Sequence, residues 1–263
     1  MGRFKEEKLS QEIAKLYQQG LNAPQISVIV QRHKNTIYHH LKNMKIDRRA
    51  RTDSLRKYDL NTRFFSIIDS ESKAYWLGFI IADGAIVDTK ISVKLAAKDG
   101  NHLIKLQKCL NTNKPIETGN SVRNGKSHSF CALNISSKDM VSDLKSHGVE
   151  CRKTLRERFP SNLSPSLERH FLRGLFDGDG CIKVLKYGNL LTYCGSQNIV
   201  IGFRDLLVNY LGVVPQKLRK QNSLFYISFG RQEDTQKILK YLYGDSVFFL
   251  DRKYMQFSSI CHL

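Results

Sequence analysis

Residues 75–86 read Tyr-Trp-Leu-Gly-Phe-Ile-Ile-Ala-Asp-Gly-Ala-Ile, and residues 171–182 read Phe-Leu-Arg-Gly-Leu-Phe-Asp-Gly-Asp-Gly-Cys-Ile. The two stretches align without a gap. In each, a glycine is followed one helical turn later by a second small residue and then by an Asp-Gly pair. These residues are Gly78, Ala82 and Asp83-Gly84 in the first stretch and Gly174, Gly178 and Asp179-Gly180 in the second. The chain is therefore predicted to contain two copies of one structural unit.

Each stretch is predicted to end a buried helix. Ser70 suits the capping position before the first helix, and a long apolar run follows it. The second helix is predicted to open at Ser164-Pro165, a cap followed by proline in the first turn. Small residues one turn apart let two helix backbones approach closely, so Gly78 and Gly174 are the predicted contact points between the helices.

Both predicted helices end in an aspartate, Asp83 or Asp179. The helix dipole disfavours an anion at this end, and close approach of the helices adds repulsion between the carboxylates. A divalent cation bound by carboxylate oxygens is the simplest compensation. Two acids that share metal ions are also an arrangement used for in-line displacement at a phosphodiester. One isolated Asp-Gly is usually a turn or a helix cap, but two copies in the same frame favour a shared site.

The segments after the two motifs repeat the same order of elements. Alternating and periodic patterns predict two strands, a helix, two further strands and a closing helix after each motif helix. The predicted fold class is α+β, with two pseudo-symmetric αββαββα halves at residues 70–160 and 161–263. An internal repeat of this size implies pseudo-twofold symmetry within one chain.

Residues 1–46 are predicted to form a small all-α domain of the helix-turn-helix type. Three short helices separated by tight breaks are the pattern in which the last helix enters the major groove of DNA. An ordinary three-helix bundle is the alternative. The outward side chains of the last helix, which are the predicted contacts to phosphates and base edges, are Lys34, Asn35, Thr36, Tyr38, His39 and Lys42.

Residues 47–69 are predicted to be a basic linker. The segment around Arg48, Arg49 and Arg51 is rich in cations and poor in apolar residues, so it cannot fold around a core of its own. We expect these arginines to lie along a DNA groove. A solvated run of charges without a partner is the alternative.

The overall composition agrees with a polyanionic partner. The chain of 263 residues has 42 Lys and Arg against 24 Asp and Glu, a formal net charge of +18. Cations displace counterions from phosphates, which favours nucleic acid, although a generic basic protein is the alternative. There is no long apolar run to suggest a membrane partner, and the charged start of the chain predicts an intracellular protein.

The two motifs, residues 76–84 and 172–180, resemble the paired signature motifs of LAGLIDADG homing endonucleases. Leu77 and Arg173 replace the first alanine of that signature, and Ile81 replaces its first aspartate. The resemblance covers roughly residues 70–263. It implies a monomer with two four-stranded sheets that form a saddle over the major groove of double-stranded DNA. It also implies Mg²⁺-dependent cleavage of both strands at a long target.

The resemblance assigns site residues to both halves. Asp83 and Asp179 are the implied catalytic and metal-binding acids, with two or three divalent ions at the pair. The residues preceding them, Ala82 and Gly178, are placed at the same metal site. The family carries a basic residue late in each half near the scissile phosphate, and Lys153 and Lys253 stand at similar offsets from the acids.

Two other functions remain open from the sequence. A DNA-binding regulator of the same fold would keep the saddle without cleaving DNA. A maturase would use the same basic surface to bind intron RNA. Retention of both terminal acids argues for the nuclease, and the helix-turn-helix pattern favours duplex DNA.

Overall fold

The computed structural model of the chain describes residues 2–18, 21–46, 57–150 and 157–261. The chain divides into two compact units, Met1–Tyr58 and Asp59–Leu263. Each unit has a hydrophobic core of its own. Residues 47–56, which hold most of the basic part of the predicted linker, lie outside the described residues.

The first unit contains the three predicted helices. Helix α2 begins at a capping box, in which the Asn22 side chain accepts from the Gln25 amide and the Gln25 side chain accepts from the Asn22 amide. Ile26, Ile37 and Leu41 are fully buried and hold the helices together. The helices are α1 Gly2–Gln18, α2 Ala23–Ile29 and α3 Lys34–Asn43.

The second unit consists of two halves with the same order of elements. The first half comprises α4 Glu71–Asp83, β1 Gly84–Val87, β2 Lys90–Ala96, α5 Gly100–Cys109, β3 Glu117–Arg123, β4 Lys126–Ser136 and α6 Lys138–Ser146. The second half comprises α7 Pro165–Asp179, β5 Gly180–Leu185, β6 Gly188–Gly195, α8 Gln197–Leu211, β7 Arg219–Gln221, β8 Leu224–Phe229 and α9 Gln232–Tyr243. The predicted α+β class with two αββαββα halves is confirmed.

The two sheets have the same topology. Their strand orders are β1-β2-β4-β3 and β5-β6-β8-β7, and every neighbouring pair is antiparallel. One face of each sheet packs on the helices. In β2, for example, Ile91, Val93 and Leu95 are buried while Lys90 and Lys94 face solvent. This alternation fixes the register, because a shift by one residue would exchange the two faces.

A further helix follows the αββαββα order of the second half, and the sequence pattern does not predict it. Helix α10 spans Asp251–Cys261 and follows α9. Lys253, Phe257 and Ile260 are its buried residues. Their spacing of three and four is helical, but a lysine on the inward stripe obscures the apolar pattern.

The centre of the second unit is the contact between α4 and α7. A Cβ atom at Gly78 would overlap the carbonyl oxygen of Phe171 and lie 2.9 Å from the amide nitrogen of Leu175. A Cβ atom at Gly174 would overlap the carbonyl oxygen of Tyr75 in the same way. The two backbones are therefore in direct contact, and each glycine faces backbone atoms that cannot rotate away.

Among the described residues, none of the helices combines the length and apolar character that crossing a bilayer requires.

Substitution of Gly174 by alanine is expected to lower the free energy of unfolding by about 3 kcal/mol or more, because overpacking against backbone costs at least the upper part of the usual range. Gly100→Ala is the matched control, since its Cβ atom would meet only the Cys131 sulfur, at an ordinary 3.6 Å. Urea unfolding of the two variants measures the difference. Equal stabilities would contradict the backbone contact at Gly174.

Candidate functional site

Helices α4 and α7 converge at their C-terminal ends. A Cβ atom at Gly178 would overlap the side chain of Ala82 and lie 3.4 Å from the backbone nitrogen of Asp83. Gly178 directly precedes Asp179, the last residue of α7. The predicted acids Asp83 and Asp179 therefore stand on adjacent stretches of backbone, together with Ala82 and Gly178.

Both acids stand where a helix passes directly into a strand. Asp83 and Asp179 are half-buried, and Gly84 and Gly180 continue from them in extended conformation as the first residues of β1 and β5. At each of these glycines a Cβ atom would collide with the carbonyl oxygen of the residue four positions earlier. Glycine after each acid therefore permits the abrupt change from helix to strand.

Lys253 caps the C-terminal end of α7 from within the core. Its side chain is 1% exposed, and its Nζ donates to the carbonyl oxygens of Phe176, Asp177 and Gly180. A cation at this end of a helix satisfies carbonyl groups without helical partners and interacts favourably with the dipole. The predicted contact of Lys253 with a phosphate is not available in this arrangement, because an ammonium has three N–H donors and all three bind backbone.

Lys253 is electrostatically coupled to both acids. Burial lowers the pKa of Lys253 to about 8, Arg252 also lowers it, and the nearby carboxylates of Asp177, Asp83 and Asp179 raise it. The ammonium is still the main form at neutral pH. Its charge therefore offsets part of the repulsion between the two acids and part of the negative potential at the helix end.

Asp177 is a buried acid that is not among the predicted site residues. It accepts hydrogen bonds from the Tyr75 hydroxyl at 2.8 Å, the Tyr243 hydroxyl at 2.6 Å and the Leu250 amide at 2.7 Å. Burial raises the pKa of Asp177, while the adjacent ammonium and these hydrogen bonds lower it. The carboxyl group joins α4, α7, α9 and the start of α10.

Arg173 is a second buried polar anchor on α7. Its guanidinium donates to the carbonyl oxygen of Phe248 at 2.6 Å, the carbonyl oxygen of Leu242 at 2.9 Å and the carboxylate of Glu71 at 2.6 Å. The side chain is fully buried. Arg173 therefore links the chain between α9 and α10 to helices α4 and α7.

A comparison of the two motifs contains a signal for both anchors. Arg173 stands where the first copy has Leu77, and Asp177 stands where it has Ile81. A charged residue at a position that is apolar in the other copy indicates a polar partner specific to that position. The additional helix α10 and the segment leading to it supply that partner.

The predicted DNA contacts on α3 divide into two groups. Lys34, Asn35, His39 and Lys42 are exposed, and the remaining two are half-buried, with Tyr38 packed on the core of the first unit. The His33 ring starts the helix by accepting from the Asn35 amide. Four further predicted site residues lie outside the described residues. They are the linker residues Arg48, Arg49 and Arg51, and Lys153.

The solvent face of the first sheet forms a shallow cleft of about 450 Å³. The cleft begins beside β1, the strand that follows Asp83. Its lining combines cations, hydroxyl groups and one acid. The lining residues are Ala85, Val87, Lys90, Ser92, Lys114, Glu117, Asn134 and Ser136.

The donor chemistry of the two acids is of the kind that a hydrated divalent cation takes. Within the described part of the chain, no group of three or more His, Cys, Asp or Glu side chains is arranged to hold a metal ion. Mg²⁺ does not need such a group, because it retains several waters and takes one or two carboxylates together with substrate phosphates. Asp83 and Asp179 are carboxylates of this kind, whereas Ala82 and Gly178 have only backbone oxygen to offer.

Comparison with known proteins establishes the fold. The structure is similar to full-length DUF199/WhiA from Thermatoga maritima, with a TM-score of 0.50 and 17% identity. The match covers 76% of this chain and 64% of that chain, so the similarity spans less than two thirds of the WhiA length. The fold of this chain is accordingly similar to that of the matched part of WhiA.

Two further solved structures are similar at lower TM-scores. The N-terminal LAGLIDADG domain of DUF199/WhiA has a TM-score of 0.47 and 18% identity, over 69% of this chain and 87% of that domain. The LAGLIDADG meganuclease I-AabMI bound to uncleaved DNA has a TM-score of 0.46 and 14% identity, over 72% of this chain and 88% of the other. No protein-family model and no curated protein matches the chain.

The pH dependence of stability should report the burial of Lys253. Because its pKa of about 8 in the folded protein is below that of an unfolded lysine, the unfolded state binds more protons between about pH 8 and pH 10. The stabilisation of wild type over Lys253→Met is therefore expected to grow with pH in this window, by up to about 1.4 kcal/mol per pH unit. Chemical denaturation at each pH measures the difference.

The exposed Lys126→Met variant is the control for that experiment, and its difference from wild type is expected to stay constant over the same window. A flat profile for Lys253→Met would show that the ammonium is not buried in the folded protein.

Proposed function

We propose that this protein is a site-specific, metal-dependent endonuclease that cleaves both strands of a long double-stranded DNA target. The observation that carries the proposal is the pair of acids at the converging ends of α4 and α7. Each acid is followed at once by the first strand of a sheet whose other face is open to solvent. The arrangement joins a candidate cation site to two extended polar surfaces.

The acids supply the chemistry of the proposed site. Asp83 and Asp179 would hold Mg²⁺, which when bound lowers the pKa of a coordinated water and stabilises charge on phosphate oxygens. The carboxylates themselves would hold the cations and position a water for attack. Because the surrounding helix ends are buried, the backbone that carries both acids is held in place. This is the condition for electrostatic preorganisation.

Lys253 acts on the backbone rather than on the substrate in this proposal. It holds the carbonyl groups at the end of α7, so that the turn carrying Asp179 does not move when a cation or a phosphate binds. Because its ammonium is enclosed, it contributes to the site through its charge and through the position of the helix end. In this proposal, other cationic side chains or a bound metal ion contact the phosphate directly.

The sheets and the first unit supply affinity. Net charge, exposed cations on the sheet faces and the exposed side chains of α3 all favour contact with phosphates and base edges. We propose that residues 34–42 extend the target beyond the length that the two sheets contact.

A catalytically silent DNA-binding regulator is the second candidate. The enclosed position of Lys253 favours it, because the buried ammonium binds backbone carbonyl groups and cannot reach a scissile phosphate. Both candidates predict tight, salt-sensitive binding to a specific duplex. They differ in whether defined cut ends appear when the duplex is incubated with Mg²⁺.

Asp83→Asn and Asp179→Asn are each expected to lower the rate of double-strand cleavage by more than about 100-fold, because a preorganised carboxylate is removed from the site. DNA affinity measured by gel shift in Ca²⁺ should change little, since the sheets are untouched. The cleavage assay uses a plasmid library and maps the cut ends. Full cleavage by either variant would contradict the two-acid mechanism. Absence of cleavage by wild type would favour the catalytically silent regulator.

Replacement of Lys34 and Lys42 by alanine is expected to weaken binding of the full-length protein and to flatten its salt dependence. Removing one lysine–phosphate interaction reduces the slope of log affinity against log salt by about 0.9. The control is Lys15→Ala, which removes an exposed cation from α1. An unchanged slope in the α3 double variant would exclude phosphate binding by these two lysines.

A further inference from the structure

The two sheets present different chemistry on their solvent faces. On β2, β3 and β4 the register places four cations on the solvent face of the first sheet: Lys90, Lys94, Arg123 and Lys126. The corresponding face of the second sheet, on β5 to β8, carries two, Lys183 and Arg219. The halves share a topology but differ twofold in cationic side chains on these faces.

The second face carries three leucines, whereas the first face carries one exposed large apolar side chain, Val87. Leu185 is 54% exposed and Leu224 is 42% exposed, and both point away from the core because Ile182 and Ile227 alternate with them on the buried side. Leu190 lies on the same face, opposite Lys183. Leu185 and Leu224 lie at opposite ends of this face, so each can contact a different base pair of a duplex that runs along the sheet.

The first face is organised to direct cations outward. The Lys94 ammonium lies 3.5 Å from the centre of the Phe130 ring, which holds it on the face rather than along the strand. Glu117 is the acid on this face, and it accepts a hydrogen bond from the Asn134 amide at 2.8 Å. The face therefore offers positive charge and hydrogen-bond donors.

Base pairs in the major groove match these two chemistries. Guanine presents two acceptors, O6 and N7, which lysine and arginine read, whereas thymine presents a methyl group that takes apolar contacts. Thymine is the natural base that offers an apolar group there. Leucines on a DNA-facing strand thus discriminate through methyl groups, and lysines discriminate through guanine acceptors.

We propose that the DNA target has two chemically different halves. The half contacted by β5–β8 is rich in thymine and is read through its methyl groups by Leu185, Leu190 and Leu224. The half contacted by β1–β4 is read through guanine acceptors by cations including Lys90 and Lys94. This proposal rests on the proposed binding of duplex DNA by the two sheets and adds the base composition of each half-site.

The test begins by selecting the target from a randomised duplex library with the full-length protein in Ca²⁺. Each thymine in the selected duplex is then replaced by deoxyuridine, which removes the methyl group alone. In one half of the target, each replacement is expected to weaken binding about fourfold. In the other half, the same replacement is expected to have no effect.

Protein variants assign the halves to the sheets. Leu185→Ala and Leu224→Ala change exposed side chains, so they are expected to fold normally. In these variants some of the thymine positions that are sensitive in wild type should lose their sensitivity, because methyl group and leucine act as a pair. Lys94→Ala is the matched control, expected to leave thymine sensitivity intact and to remove sensitivity to 7-deazaguanine in the opposite half.

The outcomes separate this proposal from the proposed function. A selected duplex whose affinity is insensitive to methyl removal, or equally sensitive in both halves, overturns the asymmetric target while DNA binding stands. Failure to select any duplex overturns both. Selective methyl sensitivity that disappears in the leucine variants supports the asymmetric target, whether or not the duplex is also cleaved.

Discussion

Direct contact between the backbones of α4 and α7 is the constraint on which the second unit depends. Gly78 and Gly174 each face a carbonyl oxygen of the opposite helix, which leaves no room for a side chain. Because the helices touch, their last turns are neighbours, and the residues that end them are brought together. Each helix is surrounded by the core of its own half, so the contact also joins two hydrophobic layers into one.

Close approach creates an electrostatic problem at the helix ends. Two C-terminal dipoles and two carboxylates, those of Asp83 and Asp179, meet where β1 and β5 begin. A buried cation, Lys253, lies at this end of α7, and it belongs to the helix that follows α9. Asp177 and Arg173 bind the segment between α9 and α10. The two halves therefore differ in sequence close to the two acids.

The sequence predicts the parts that depend on local pattern. The C-terminal ends of α4 and α7 are correct to the residue, because the Asp-Gly pairs combine a helix stop with a glycine that the turn into a strand requires. The burial of Lys253 is not predictable in this way, since the carbonyl groups that it binds lie more than 70 residues earlier. Arg173 and Asp177 are visible in the sequence as departures between the copies, but their partners become apparent only once α10 is in place.

The enclosed ammonium changes the physical case for metal at the acid pair. From the sequence, repulsion between Asp83 and Asp179 calls for a cation to hold the fold together. With Lys253 in the core, the chain supplies a positive charge of its own, and part of that repulsion is already offset. In the proposed nuclease, the divalent ion would then not be required to hold the helices together, and its affinity would depend on the carboxylates and the phosphate. For the proposed nuclease, we therefore expect folding without metal and binding of metal together with the substrate.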